Sequence, residues 1–260
     1  MGLGHVMRCI AVAEEAREAG LCPYFIVNAE ESTRRILKRG GFPHETLDGA
    51  MDDWRLALAG WPADKPILID SHHDVSRLVR ELRYNRCRVA LVDNTTRARF
   101  AVDIVLYPNA HFDPRLMSFR KASGRVYCGT RFFPLRREFT RAQPMRGRGK
   151  YVLISMGGAD PKNLTRLVLE SLEGVLGIDK IVAVIGEAFR HKAWFSRWKK
   201  RVKSGVEIVE GRRDFPGLLK GSRILITALG VTVYEAAYFR IPTMIICNYE
   251  KDREDGMRLE

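Results

Sequence analysis

The sequence has no apolar run approaching the roughly 20 residues that a membrane-spanning helix needs. Its opening residues, Met1 to Cys9, lack the basic, apolar and small-residue succession of a secretory signal. Both absences point to a cytoplasmic protein. Cysteine is sparse: Cys9, Cys22, Cys87, Cys128 and Cys247 are odd in number, far apart and without a CxxC pair. That argues against a disulfide framework or a zinc knuckle, and leaves reduced, mostly buried thiols as the expectation. No stretch is of low complexity, the two halves do not repeat one another, and no RNA-binding signature of the RRM or KH type is recognised, so specific nucleic-acid recognition is not expected.

What is present is a globular composition: 260 residues, 46% hydrophobic and 29% charged, with a mean hydropathy of −0.19. That length serves one large α/β unit or two ordinary domains, either with a substantial core. The formal charge of +13 and pI near 9.8 attract anions: nucleic acid, an anionic membrane surface or phosphorylated metabolites. The basic residues are spread over 34–39, 83–88, 131–148 and 197–203, a distribution that solvated helix faces also explain.

Along the chain, Val6, Cys9, Ile10, Ala13 and Ala16 recur at helical spacing until Gly20, and 22–27 reads as a short strand. Helix 32–38, strand 66–70, helix 75–83 and strands 88–92 and 102–107 continue the alternation. Periodicity lapses over 136–150, where Pro144, Gly147 and Gly149 among basic residues describe an exposed linker, with a domain boundary near residue 145. The pattern restarts with strand 151–155, helix 164–172, strand 180–185, helix 189–203, strand 206–209, helix 215–221, strand 223–227, helix 232–239 and strand 243–247. The expectation is α/β: two Rossmann-like domains, 1–140 and 150–260, with a cleft between them. No strand precedes the first glycine turn and a charged segment, 250–260, directly follows the last strand, the pattern of a fragment lacking a first strand and C-terminal helices.

Three glycine turns fall at strand-to-helix junctions or helix starts: Gly2-Leu3-Gly4-His5, Ser155-Met156-Gly157-Gly158 and Ala228-Leu229-Gly230-Val231-Thr232. Backbone N–H groups and the helix dipole make such turns anion sites, and glycine lets a phosphate approach the backbone. Each alone is better read as an ordinary structural junction, since glycines are common there, but three in one chain shift the balance toward phosphate binding. Thr232 can give its hydroxyl to phosphate, and Glu235, on the same helix face, either accepts both hydroxyls of a ribose or is an ordinary exposed helix residue. Asp160 and Pro161 signal a helix start by an N-cap and a first-turn proline. At the start of a helix, His5 meets the positive dipole end, which disfavours the charged ring and suits a general base; local capping or packing is the other reading. His72 and His73, beside Asp70 and Asp74 at a strand end, suit substrate binding, while metal binding lacks a clear third ligand.

The segments Gly2-Leu3-Gly4-His5-Val6-Met7-Arg8-Cys9, Phe133-Pro134-Leu135-Arg136-Arg137-Glu138-Phe139, Ser155 to Thr165 and Ile226 to Ala237 together resemble the family of the UDP-diacetamido-trideoxy-altropyranose hydrolase of pseudaminic acid biosynthesis and its spore-coat polysaccharide relatives. The resemblance implies a GT-B fold whose second domain holds UDP and whose first domain presents the sugar to the histidine of the GxGH turn, His5. Water, deprotonated with that histidine's help, attacks the anomeric carbon and UDP leaves, with no metal or redox cofactor. Carried over, Gly157, Gly158, Gly230, Thr232 and Glu235 contact UDP, Gly4, His5 and Arg8 face the sugar-phosphate side, and Asn163, Asp70 and His72 are counted among the substrate-binding residues. The family's aromatic-containing stretch after the first aspartate is Asp70-Ser71-His72-His73-Asp74 here, which implies a different sugar preference.

The expected function is hydrolysis of a UDP-linked diacetamido-type deoxy sugar in nonulosonic-acid or surface polysaccharide biosynthesis. Three alternatives stay open: a GT-B glycosyltransferase using the same UDP site, its basic surface docking at an anionic membrane; a truncated remnant that binds nucleotide without turnover; and nonspecific nucleic-acid binding, which would weaken steeply with salt. The oligomeric state is not legible.

Overall fold

The structure of the protein is a computed structural model that describes residues 3–47, 51–58, 60–110, 121–143, 149–186, 188–198, 205–211, 214–250, 252–257 and 259. The chain divides into two compact units, a carboxyl-terminal one of Met1–Ala11 with Leu135–Arg258 and Glu260, and an amino-terminal one of Val12–Pro134 with Leu259. Helix α1, Gly4–Glu18, begins in the former and ends in the latter.

In the amino-terminal unit, strands β1 (Phe25–Asn28) and β2 (His44–Leu47) pair in parallel, with helix α2 (Glu31–Arg39) between them in sequence. Helix α3 (Met51–Leu58) leads to a second parallel sheet of β3 (Ile67–Asp70), β4 (Val89–Val92), β5 (Ile104–Tyr107) and β6 (Arg125–Cys128) in sequential order. Helix α4 (Ser76–Tyr84) connects β3 to β4, and its Leu78, Val79 and Leu82 lie at the spacing of one helical face. They pack on Val89, Leu91, Val105 and Tyr107. The Asp74 carboxylate accepts from the Ser76 amide at 2.9 Å and the Ser76 hydroxyl at 2.5 Å at the start of that helix. Those two bonds hold its carboxyl below the usual carboxylate range.

From Leu135 onward the carboxyl-terminal unit has the short helix α5 (Arg137–Thr140) and a five-stranded parallel sheet. Its strands are β7 (Tyr151–Ser155), β8 (Ile181–Ile185), β9 (Val206–Glu210), β10 (Ser222–Ala228) and β11 (Thr243–Ile246), in spatial order β11-β10-β7-β8-β9. Helices α6 (Leu164–Ser171), α7 (Lys192–Trp198), α8 (Phe215–Gly221) and α9 (Val231–Tyr238) connect them, and α10 (Asp252–Met257) follows β11. Side chains alternate between the faces of a strand, and both faces are covered. Val152, Ile154, Ile181, Ala183 and Ile226 pack with Val168, Leu169, Phe195 and Trp198 of α6 and α7. Leu153, Val182, Val184 and Leu225 pack on the other face with Phe215, Leu219 and Ala236 of α8 and α9. Near-continuous apolar strands such as Ile-Val-Ala-Val-Ile of β8 follow from that double coverage. Truncating the fully buried Leu153 to alanine would cost roughly 2–5 kcal/mol.

Several expectations are corrected. The stretch expected as an exposed linker enters the core: α5 buries Phe139 between Phe215 and Phe239, with ring centroids 6.4 and 6.1 Å away, and Arg136 is buried beside it. One aromatic in a four-residue helix leaves no periodicity to read. The first strand starts at Phe25 and not at Cys22, after Pro23, which cannot donate to a ladder. Of the five thiols only Cys87 is buried; Cys9, Cys128 and Cys247 are half-buried and Cys22 is exposed. Strands β2 and β6 and helices α3, α5 and α10 were not expected, each being short or polar. The boundary near residue 145, Gly2 of the first turn, and residues 199–203 of the expected helix 189–203 lie outside the described residues. Among the described residues no helix is long and apolar enough to cross a membrane.

Candidate functional site

The sheet of the carboxyl-terminal unit reverses direction between β7 and β10: the chain moves outward from β7 through β8 to β9, then returns to β10 on the other side. At such a switch point the two connections leave on opposite faces and open a crevice at the carboxyl ends of the strands, where ligands of open α/β sheets bind. The ends of the two strands are tied: Thr227 pairs with Ser155, and its hydroxyl donates to the Ser155 carbonyl at 2.6 Å. The two glycine turns of this unit emerge there, Gly157-Gly158 after β7 and Gly230 at the N-cap of α9.

The third turn joins them. A Cβ on Gly158 would lie 2.4 Å from Cδ1 of Leu3, and one on Gly4 would touch Cγ2 of Val231 at 3.5 Å. A Cβ on Gly186, after β8, would sit 2.2 Å from the backbone oxygen of Gly158, so close backbone approach requires glycine there. At Gly230 the geometry differs. Its φ of 164° is extended backbone, and an added Cβ would meet no atom within 4 Å.

His5 is half-buried in the first turn of α1, and Arg8, one turn on, is buried. The Arg8 guanidinium lies 3.4 Å from Nδ1 of His5. Because a guanidinium only donates, Nδ1 is the acceptor in this pair, and the neutral ring then carries its hydrogen on Nε2.

Thr232 and Glu235 are both buried in α9, which removes the reading of Glu235 as an exposed helix residue. Its Oε1 accepts from Nη2 of Arg136 at 2.8 Å. Arg136 also bonds Glu138, and its Nε is buried without a hydrogen-bond partner among the described residues. The spacing of Glu235 from Thr232 was legible in sequence; Arg136, 99 positions away, was not.

The start of α6 is built differently from the expectation. Asn163 is the N-cap residue, in the left-handed region at φ 54°, and makes no side-chain cap. The buried Asp160, itself at φ 41°, caps from upstream, its two oxygens accepting from the amides of Leu164 at 2.7 Å and Thr165 at 2.9 Å. Pro161 therefore precedes the helix. The Oδ1 of Asn163 has no partner among the described residues.

Asp70 and His72 belong to the amino-terminal unit. Asp70 ends β3 and is half-buried, while His72 is exposed with Nδ1 3.2 Å from the Asp93 carbonyl. Sequence reading missed the residue that organises this loop, Asn94. It is fully buried, and its amide donates to the carbonyls of Ser71 and, at 2.9 Å, His73. Its own carbonyl oxygen accepts from the Tyr107 hydroxyl. Burial pushes that phenol up to about 12, with the Asp93 carboxylate adding to the effect and the Arg99 guanidinium opposing it.

No family model matches the sequence. The chain is 27% identical, over 275 aligned positions, to an uncharacterized protein, MJ1062, of Methanocaldococcus jannaschii; the alignment takes in 98% of this chain and 54% of the relative, so the chain spans about half of that protein's length. It is 23% identical, over 96% of its length, to the spore coat polysaccharide biosynthesis protein SpsG of Bacillus subtilis, of which it spans 74%. In three dimensions it is similar to MurG of Acinetobacter baumannii, with a TM-score of 0.61 at 13% identity over 99% of this chain and 81% of the other. It is similar also to HepE of Anabaena solved with UDP-glucose, with a TM-score of 0.54 at 11% identity over 94% and 77%. The protein thus has an α/β fold with parallel sheets, similar to that of GT-B glycosyltransferases such as MurG and HepE.

Proposed function

We propose that the protein acts on a UDP-linked sugar in polysaccharide biosynthesis and hydrolyses it, releasing UDP and a free sugar of the diacetamido-deoxy class. The observation that carries this reading is the convergence of three glycine turns at the switch point of one sheet, with His5 directly after one of them. Phosphate is the ligand chemistry that uses such a place, because unpaired amides and positive helix ends meet it there. Gly230 supports the reading, since the fold itself does not require glycine at that position. The similarity to SpsG and to a UDP-glucose complex supports the same substrate class.

In this account the amides at Gly157, Gly158 and Gly230 and the Thr232 hydroxyl stabilise the charge of the departing diphosphate. Asn163 offers its unpartnered Oδ1 to the nucleotide. Glu235, paired with Arg136, accepts a ribose hydroxyl. His5 takes a proton from the attacking water. Its lone pair at Nδ1 is engaged by Arg8, so Arg8 must turn from His5 to the substrate phosphate before the ring accepts a proton. Asp70 and His72 are assigned to substrate binding, with His72→Ala expected to raise KM more than it lowers kcat.

The second reading is transfer to a sugar or lipid-linked acceptor, favoured by the similarity to MurG and HepE. Incubation with UDP-linked acetamido and diacetamido sugars, without acceptor, separates the two. Hydrolysis predicts equal release of UDP and free sugar, abolished in His5→Ala. UDP release that begins only when an acceptor is added overturns hydrolysis in favour of transfer.

A further inference from the structure

Helix α2 carries four charged side chains on one ridge, Glu31, Arg34, Arg35 and Lys38, at the spacing that keeps them on one side. Beside them run His44 and Thr46, two apart on the edge strand β2 and therefore on one face of it. These six residues line a groove of about 440 Å³, within the size range of small-molecule sites but polar where most such sites are apolar.

Its chemistry is one-sided. The Glu31 carboxylate accepts from Arg34 at 2.5 Å and from Arg35 at 2.9 Å, which aims both planar guanidiniums while neutralising only one of them. The bond from Arg35, followed by that from Arg34, holds the Glu31 carboxyl below the usual range, so it stays ionised. Lys38 has no acidic partner among the described residues. Nδ1 of His44 lies 3.0 Å from the Phe42 carbonyl and donates to it, which leaves Nε2 as the nitrogen open to a ligand. Two guanidiniums, an ammonium and a hydroxyl around a small groove offer donors to the several oxygens of a phosphate group.

We infer that the groove between α2 and β2 is a second anion site, which binds the phosphate or diphosphate group of a ligand. This site lies within the amino-terminal unit and does not depend on the UDP reading. The phosphate belongs either to a soluble ester or to a lipid headgroup.

The test measures inorganic pyrophosphate binding by calorimetry on the full chain with UDP present in excess. In parallel, co-sedimentation is measured with phosphatidylglycerol and with phosphatidylcholine vesicles. The variants are Arg34→Ala with Lys38→Ala, Glu31→Gln, and a charge-matched control, Arg77→Ala with Arg223→Ala, two exposed arginines outside the groove. The site predicts about tenfold weaker binding of pyrophosphate or of the anionic vesicles in the groove variant, and unchanged binding in the control. Glu31→Gln, which removes the competing carboxylate, is expected to bind tighter. A loss confined to pyrophosphate identifies a soluble ester, and a loss confined to vesicles a lipid headgroup. If the groove variant and the control bind alike in both assays, or wild type binds neither probe, the inference is overturned.

Discussion

Nη2 of Arg136 donates to Oε1 of Glu235 at 2.8 Å, between side chains 10% and 1% exposed. It brings a residue just before α5 onto α9, the helix that follows the Gly230 turn. A buried carboxylate without its cation carries a desolvation penalty of several kcal/mol, whereas a pair replaced by apolar groups of similar volume is often close to neutral. Arg136→Met is therefore expected to destabilise the protein by about 3 kcal/mol. Arg136→Met with Glu235→Leu should recover most of that loss. Urea unfolding of the three proteins measures both, and a single-variant cost below about 0.5 kcal/mol would contradict the pairing.

The Asp160 cap carries a similar prediction. Two amides of the first turn of α6 bond its carboxylate, and alanine there leaves both without that acceptor. Asp160→Ala should cost about 1–2 kcal/mol and Asp160→Asn less, because the amide oxygen still accepts one bond. Equal stability of the alanine variant and wild type in thermal melts would refute the role.

Gly186 and Gly158 separate backbone need from side-chain crowding. At Gly186 the added Cβ meets a backbone oxygen, whereas at Gly158 it meets the end of the Leu3 side chain, which can turn away. Gly186→Ala is expected to lose about 3 kcal/mol or more, and Gly158→Ala about 1 kcal/mol. Matched denaturation curves check the order, and the reverse order would contradict the geometry.

Tyr107 makes stability depend on alkaline pH. Its phenol titrates near 10 when exposed and at about 12 in the fold, so the folded state disfavours the ionised form. The contribution is complete below pH 10 and is lost as pH rises through about 12, up to about 2 kcal/mol. Tyr107→Phe should cost about 1 kcal/mol at pH 8 for the bond to Asn94, and should show a shallower decline between pH 10 and 12. Parallel slopes for the two proteins would show that another group is responsible.

The glycine turns and the apolar strands of the five-stranded sheet were legible in the sequence because each expresses a local rule. Ile181–Ile185 is a continuous apolar run, and Gly230 stands at the start of a periodic helix. What was not legible depends on pairing across distance. Phe139 looks like one aromatic among charges until its ring is placed between Phe215 and Phe239. Nothing in the local sequence of Asn94 says that its amide holds the backbone of Ser71 and His73. Likewise Pro161 suggested a first-turn proline, yet Asp160 and Asn163 adopt left-handed backbone, which delays the helix to Leu164.

The central claim is that the glycine turns of the carboxyl-terminal unit hold the diphosphate of UDP, and Gly230→Ala tests it most directly. The added methyl meets no protein atom within 4 Å and the backbone angle suits alanine, so the fold is expected to be untouched while the approach of a phosphate is obstructed. Calorimetric titration of UDP should give saturable binding to wild type and at least about tenfold weaker binding to Gly230→Ala, with unchanged melting temperature. Equal UDP affinity in the two proteins would contradict the account.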